Sequence, residues 1–368
     1  MAVSTPVSWE TAERVATWVG AGRPLGPASP TPRPLDEATW ASLRDDFAWA
    51  TTRAEQLVTE ATGLRPTTGP AVAQVVDRTE WVRANLVSFR RLLEPALAKM
   101  ESATLPGPLA GATRAATGAQ MGLVLGWMAT RVLGQYDLLF AESADSDTGG
   151  MVSYVGPNIV ALERRHAFPP RQFRMWIALH EVTHRCQFTG VPWLRGQFLS
   201  LVDQGLSGMP TDPRRLAEAL RRAGQAVRSG RNPLEDAGLL GLVAPPEQLE
   251  VIGRIQSMMS LLEGHGDVTM DRVGGDAVPD AAWFSRVLKE RRKSAGLLTR
   301  LLMQVVGMEA KMRQYEQGEK FIAAVESAGG PELFARVWEG PENLPTIDEI
   351  RRPELWVARL GTPTVAAG

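Results

Sequence analysis

The chain has 368 residues, 44% of them hydrophobic, and a formal net charge of −1. That is enough apolar material for a sizeable core, in one large domain or in two or three smaller ones. It leaves no global field to draw the protein onto nucleic acid or an anionic membrane. Basic charge is carried by arginine: lysine occurs only at 99, 289, 293, 311 and 320, and the other 35 of the 40 basic residues are arginine. With abundant Ala, Gly and Pro this looks like a high-GC coding bias, and the arginines read as a solvated surface. Cys186 is the only cysteine, which excludes an intrachain disulfide and suits a reducing cytoplasm, the expected location. Residues 1–24 lack a basic stretch followed by an apolar one, so no signal peptide is expected. The most apolar run, 121–133, contains Arg131 and is too short to span a bilayer.

In chain order the pattern is mainly helical. Residues 8–19 repeat Trp9, Ala12, Val15 and Trp18 at helical spacing. A Pro/Gly-rich connector, 23–34, is expected to be an extended loop. A helix follows over 36–62, ended by a break at 67–70. Another runs over 77–100, with Asp77 or Thr79 as its cap. Residues 107–140 predict a helix rich in Gly and Ala, whose small side chains would admit a close neighbour. After a polar turn at 143–150, the β-branched runs 151–155 and 159–162 flank Gly156-Pro157-Asn158 and read as a β hairpin. A further helix begins after Pro169-Pro170. Helices are then expected at 193–206, at 211–229 with an arginine-rich outer face, and, after a looser connector at 232–246, at 246–273. A long one covers 280–327, with an apolar stripe at Leu298, Leu301, Leu302 and Val305. Residues 331–360 read as short helices and turns. The provisional division is a helical N-terminal region, 1–105, and a catalytic core, 106–368, which can also form one compact unit.

The helix after Pro169-Pro170 carries His180-Glu181-Val182-Thr183-His184. On a helix, residues four apart share a face, so the two imidazoles can share one Zn²⁺ while the Glu beside the first reaches a metal-held water. The chain has four histidines, at 166, 180, 184 and 265, and a chance H-E-x-x-H in so poor a background is expected on the order of a few times per thousand chains. Cys186 points well away from the histidine face and reads as a small buried apolar group. His166 lies between the strand and the motif helix and reads as a surface or loop residue.

A catalytic zinc takes three protein ligands and an open position. The third is sought in Leu262-Glu263-Gly264-His265-Gly266-Asp267. In a helix Glu263 and Asp267 share a face and His265 points away. Glu263 is the expected ligand and His265 its rival. Asp267 would accept the second N–H of a ligating imidazole and fix its orientation. Gly264 and Gly266 weaken the helix, and their expected benefit is close approach to the motif helix. Glu181 is the expected general base. Donors for a developing oxyanion are sought in Tyr315, Tyr154 and His265, the last only if the glycines break the helix and turn it inward. Tyr315 reads equally well as a side chain at a helix–helix contact.

His180-Glu181-x-x-His184 with Glu263-x-x-x-Asp267 is similar to the gluzincin class of zinc metallopeptidases. Four segments carry a closer resemblance: 151–164 (MVSYVGPNIVALER), 176–189 (WIALHEVTHRCQFT), 261–272 (LLEGHGDVTMDR) and 311–322 (KMRQYEQGEKFI). They resemble a family of zincin-like hydrolases of actinobacteria and Chloroflexus, often labelled as associated with biosynthesis of the deazaflavin coenzyme. The resemblance implies a mainly α zincin variant with little sheet, here with helices at the N-terminus and one small hairpin near the motif helix. It also implies zinc as the cofactor and hydrolysis of a peptide or amide bond. The 78 residues between His184 and Glu263 exceed the gap in thermolysin-like enzymes. The expected partner is a peptide or small amide substrate, with no nucleic acid and no membrane. Two other readings stay open: a non-catalytic scaffold braced by the metal, and a zinc hydrolase of a small-molecule amide or ester.

Overall fold

The computed structural model describes residues 6–22, 34–101, 109–137, 151–207, 246–293 and 308–361. The expectations for the Pro-rich connector, the polar turn at 143–150, the helix at 211–229, the connector that follows it and the Leu298–Val305 stripe lie outside these residues. The chain divides into two compact units, Met1–Gly190 with Val273–Val287, and Val191–Arg272 with Leu288–Gly368. The first 105 residues fall in the first unit together with the helix that carries the motif.

Local chemistry explains where the first helices begin. In α1 (Trp9–Gly20) the Ser8 side chain accepts from the Thr11 amide, and in α2 (Glu37–Thr62) Asp36 accepts from Thr39. The Thr39 bonds hold the Asp36 carboxyl below its ordinary pKa. Gly63 ends α2 in the left-handed region at φ 72°. Before α3 (Arg78–Glu101), Asp77 Oδ1 accepts from the amides of Thr79 and Glu80, at 2.7 and 2.8 Å, and Glu80 Oε2 accepts from the Asp77 amide at 2.7 Å. That is a reciprocal cap on the expected residue.

The glycine-rich helix is shorter than its composition implied. α4 covers Leu109–Ala129, and the chain then forms a strand, β2 (Gly134–Tyr136). Small residues do admit a neighbour: a Cβ on Gly122 would lie 2.5 Å from the Ala12 carbonyl oxygen of α1, and one on Gly126 2.6 Å from that of Ala16. Around this contact Ala12, Ala16, Leu125, Ala129, Trp81, Val82, Val76 and Val155 form a buried cluster.

The sheet corrects the expected hairpin. Met151–Val155 is a strand, β3, but Gly156–His166 is a helix, α5, with Pro157 in its first turn. The β-branched run at 159–162 is helical because it lies on a turn that buries Ile159, Val160 and Leu162, and packing outweighs the strand preference. The actual partners of β3 are distant in sequence. β1 (Val72–Val76) pairs with it in parallel and β2 antiparallel, giving the order β1-β3-β2, with Gly134 opposite Tyr154.

Against this sheet and α2 lies α6 (Pro170–Gly190). Arg174, Ala178, Glu181 and Arg185 fall on one stripe of it, four and three residues apart. Two of the four are buried arginines. Arg174 makes a two-pronged bond to Glu163 of α5, at 2.8 and 3.0 Å, and reaches Asp46 and Ser42 of α2 at 2.8 and 2.9 Å. Arg185 is fully buried, pairs with Glu55 of α2 at 3.2 Å, and donates to Thr68 Oγ1 and the Gly69 carbonyl. The motif helix is thus tied to α2 near both ends, by the hydrogen-bonded Arg174–Asp46 pair and by the Arg185–Glu55 ion pair.

The second unit holds α7 (Leu194–Ser207), most of α8 (Pro246–Ala277), the end of α9 (Ala281–Lys293) and α10 (Met308–Ala335), which kinks at Gly329-Gly330. α11 (Ile347–Arg351) and α12 (Pro353–Leu360) close it. Its core gathers Leu261, Phe321, Ile322, Val325, Phe334, Val337, Ile350 and Trp356. Trp356 is fully buried and donates from Nε1 to the Asn343 carbonyl at 2.8 Å. Among the described residues no helix is long and apolar enough to cross a membrane.

Candidate metal centre

In the first unit His180 and His184 stand one turn apart on α6, both half-buried. Their Nε2 atoms are 3.2 Å apart and their rings are nearly perpendicular, 87°. Two nitrogens bound by one tetrahedral zinc at ~2.0–2.1 Å would lie about 3.3 Å from each other, so the donor pair has the bite of that ion. His184 Nδ1 lies 3.0 Å from Gln187 Oε1. Asp267 is expected to meet the outer nitrogen of a ligating imidazole; at His184 that nitrogen faces Gln187 of α6 itself.

Glu181 is buried on the stripe that faces the sheet. Its side chain lies against Gly134, where an added Cβ would fall 2.5 Å from Cγ and 2.8 Å from Oε1. The turn leading into β2 is pinned by Asn158 of α5, whose Nδ2 donates to the Ala129 and Val132 carbonyls at 2.8 and 2.7 Å. Its Oδ1 accepts from Arg78 Nε at 2.7 Å. One short strand, set by one buried amide, therefore bounds the carboxylate of Glu181. Sequence reasoning missed both residues. Gly134 sits at the end of an apolar helical run, and Asn158 reads as an ordinary turn residue.

Tyr154 of β3 faces the core. Its ring stacks on Phe47 at 3.9 Å, and its hydroxyl shares a 2.7 Å bond with Thr51 Oγ1. Burial raises the pKa of its phenol, the Thr51 bond pulls the other way, and the Glu181 charge adds to the rise. Tyr154 is thereby a neutral structural link between the sheet and α2. His166, the last residue of α5, is half-buried and stacks on Phe168 with ring centres 5.2 Å apart.

Cys186 is fully buried, and burial first of all raises its thiol pKa to about 12, with Arg185 opposing. A maleimide or disulfide reagent is expected to leave Cys186 unmodified in the native protein for hours and to react at once after denaturation. Comparable rates in the two states, followed by mass spectrometry, would contradict this packing.

In the second unit α8 runs unbroken through Gly264 and Gly266. The condition for turning His265 inward is therefore not met. It is buried, stacked on Phe334 at 5.8 Å and edge-on to Trp338 at 5.1 Å. Leu261, His265 and Val268 face this core, so Glu263 and Asp267 project about half a turn round the helix from it. Glu263 is buried and Asp267 half-buried. The close approach expected of Gly264 is made to α10: a Cβ there would lie 2.5 Å from the Gly318 backbone. Tyr315 belongs to α10, but its side chain lies outside the described residues.

A family model described as zincin-like metallopeptidase matches residues 7–357. The chain belongs to this zincin-like family. It is also similar to a protein from Chloroflexus aurantiacus whose crystal structure was described as that of a candidate hydrolase with a novel fold. The two are 31% identical with a TM-score of 0.69, over 96% of this chain and 99% of that one. No curated protein matches the chain. Membership of a zincin-like family accords with a mainly helical fold that carries a small sheet beside the motif helix.

Proposed function

We propose that the protein is a zinc-dependent hydrolase, a metallopeptidase in the broad sense, that cleaves a peptide or amide bond. The observation that carries this reading is the 3.2 Å convergence of the His180 and His184 Nε2 atoms, next to a buried carboxylate at Glu181. His180 and His184 would hold the metal, with Glu263 as third ligand. Glu263 is the acidic residue that the α8 register turns away from its own core, and Asp267 shares that face as a hydrogen-bond acceptor. His265, the rival, is committed to Phe334 and Trp338.

A zinc ion in such a set supplies Lewis acidity, lowering the pKa of a water to about 7 and polarising a carbonyl. The chain's own contribution is proton transfer. Glu181 accepts the proton of the attacking water as it adds to the carbonyl, then returns it to the leaving nitrogen. Tyr315 remains the candidate donor to the oxyanion, because Tyr154 is engaged by Thr51. The proposed setting is a reducing cytoplasm, in keeping with a lone buried thiol. The deazaflavin association and an actinobacterial origin, which the resemblance implies, add no residue to this chemistry.

The test is elemental analysis of protein purified without an affinity tag or added metal, alongside His184→Ala and Glu263→Ala. About one zinc per chain is expected, lost in both variants, since removing one of three ligands dismantles the site. A wild-type protein that takes up no metal when zinc is offered would overturn the hydrolase reading. In that case α6 is part of a scaffold.

A further inference from the structure

Gln187 is fully buried, three residues beyond His184 on the same helix, with Oε1 3.0 Å from His184 Nδ1. We infer that Gln187 is a positioning residue that fixes the tautomer of His184, and so decides whether the histidine pair can take a cation. The inference rests on the zinc reading above.

A neutral imidazole has one N–H and one lone pair, on different nitrogens. The two ring nitrogens of His184 meet two different neighbours: Nδ1 meets the Gln187 carbonyl oxygen, and Nε2 meets His180 Nε2 at 3.2 Å. The carbonyl oxygen accepts and cannot donate, so Nδ1 carries the proton. The lone pair is then on Nε2, the atom that converges with His180. The reverse tautomer sets two lone pairs against each other at a buried amide, which costs a desolvated acceptor its bond. It would also aim an Nε2–H at His180 Nε2, and the two rings would then satisfy one another instead of a metal. Because i and i+3 side chains meet on one face of a helix, the contact that makes this selection lies within α6. The outer partner of a ligating imidazole commonly sets its tautomer and basicity, and its loss weakens metal binding about 10–100-fold.

Four histidines in the chain make a direct reading practical. With ¹⁵N-histidine labelling and assignment by single substitution, long-range ¹H–¹⁵N spectra of the metal-free protein at alkaline pH are expected to show His184 protonated on Nδ1. Zinc affinity is measured in parallel by chelator competition. Gln187→Leu is expected to shift His184 towards the Nε2–H form and to weaken zinc about 10–100-fold. Gln187→Glu, which also accepts from Nδ1–H, is expected to keep both the tautomer and the affinity. An Nε2–H tautomer in the wild type, or a folded Gln187→Leu protein that binds zinc as tightly as wild type, would overturn the inference. The tautomer arm needs no metal. A wild type with the Nδ1–H form and no zinc affinity would support the role of Gln187 in setting the tautomer while overturning the zinc reading. If the leucine variant does not fold, the wild-type tautomer and the Gln187→Glu affinity decide.

Discussion

Gly122→Val is expected to destabilise the protein by about 3 kcal/mol, at the upper end for overpacking a tight contact. Even a Cβ at Gly122 would lie 2.5 Å from the Ala12 carbonyl oxygen, 2.8 Å from Val15 Cβ and 3.1 Å from the Ala16 amide nitrogen. Two of these neighbours are backbone atoms of a helix, so no rotamer change relieves the overlap, and α1 and α4 must separate along the Gly122 and Gly126 contacts. The gain in helix propensity on replacing glycine, at most about 1 kcal/mol, is too small to offset this. Gly111 on the same helix is the control. It has nothing within 4 Å of its virtual Cβ, so Gly111→Ala is expected to be neutral or stabilising by up to about 1 kcal/mol. Denaturant unfolding of the two variants reads the contrast. Equal effects would mean that α1 is not seated on α4 through these glycines.

How much of this was legible in advance depends on how local the cause is. The starts of α1, α2 and α3 are written in Ser8, Asp36 and Asp77, whose side chains cap amides two or three residues on, so a short window of sequence suffices. The sheet is not local. β1 finds β3 across some 75 residues, and β2 is three residues long at the end of an apolar helical run, too short for any period to show. The run at 159–162 misleads because four apolar β-branched and aliphatic residues suit a strand or a buried helical turn equally well. Pro157, at home in a helix's first turn, was the better guide. In the candidate site, the spacing of His180, Glu181 and His184 was plain. Gln187 lay in the same segment at a helical neighbour's distance, but a glutamine carries no motif. Gly134 could not be foreseen, because its importance comes from a strand that only the fold creates.

Glu181→Gln is expected to keep the metal and lose hydrolysis, by roughly a hundred- to ten-thousand-fold, the usual contribution of a positioned general base. The amide is nearly isosteric, so the contact with Gly134 and the packing of the α6 stripe are retained. What is lost is a group that can take a proton. His180 and His184 are untouched, and zinc stoichiometry should therefore equal that of the wild type. Gly134→Ala separates position from chemistry. It leaves the carboxylate in place as a base but puts a Cβ 2.5 Å from its Cγ and 2.8 Å from its Oε1. Either the side chain turns away or β2 shifts against the two Asn158 bonds that hold its entry turn. A fall in kcat with zinc retained is expected, smaller than that of Glu181→Gln because the base survives off its mark, and misplacement by about 1 Å can cost a hundredfold. The readout is digestion of a mixed peptide library, scored by mass spectrometry, with zinc content measured on the same samples. A Glu181→Gln protein that cleaves as fast as wild type would remove Glu181 from the chemistry. An alanine at 134 without effect would show that the base has room to move, and that the strand beside it serves the fold alone.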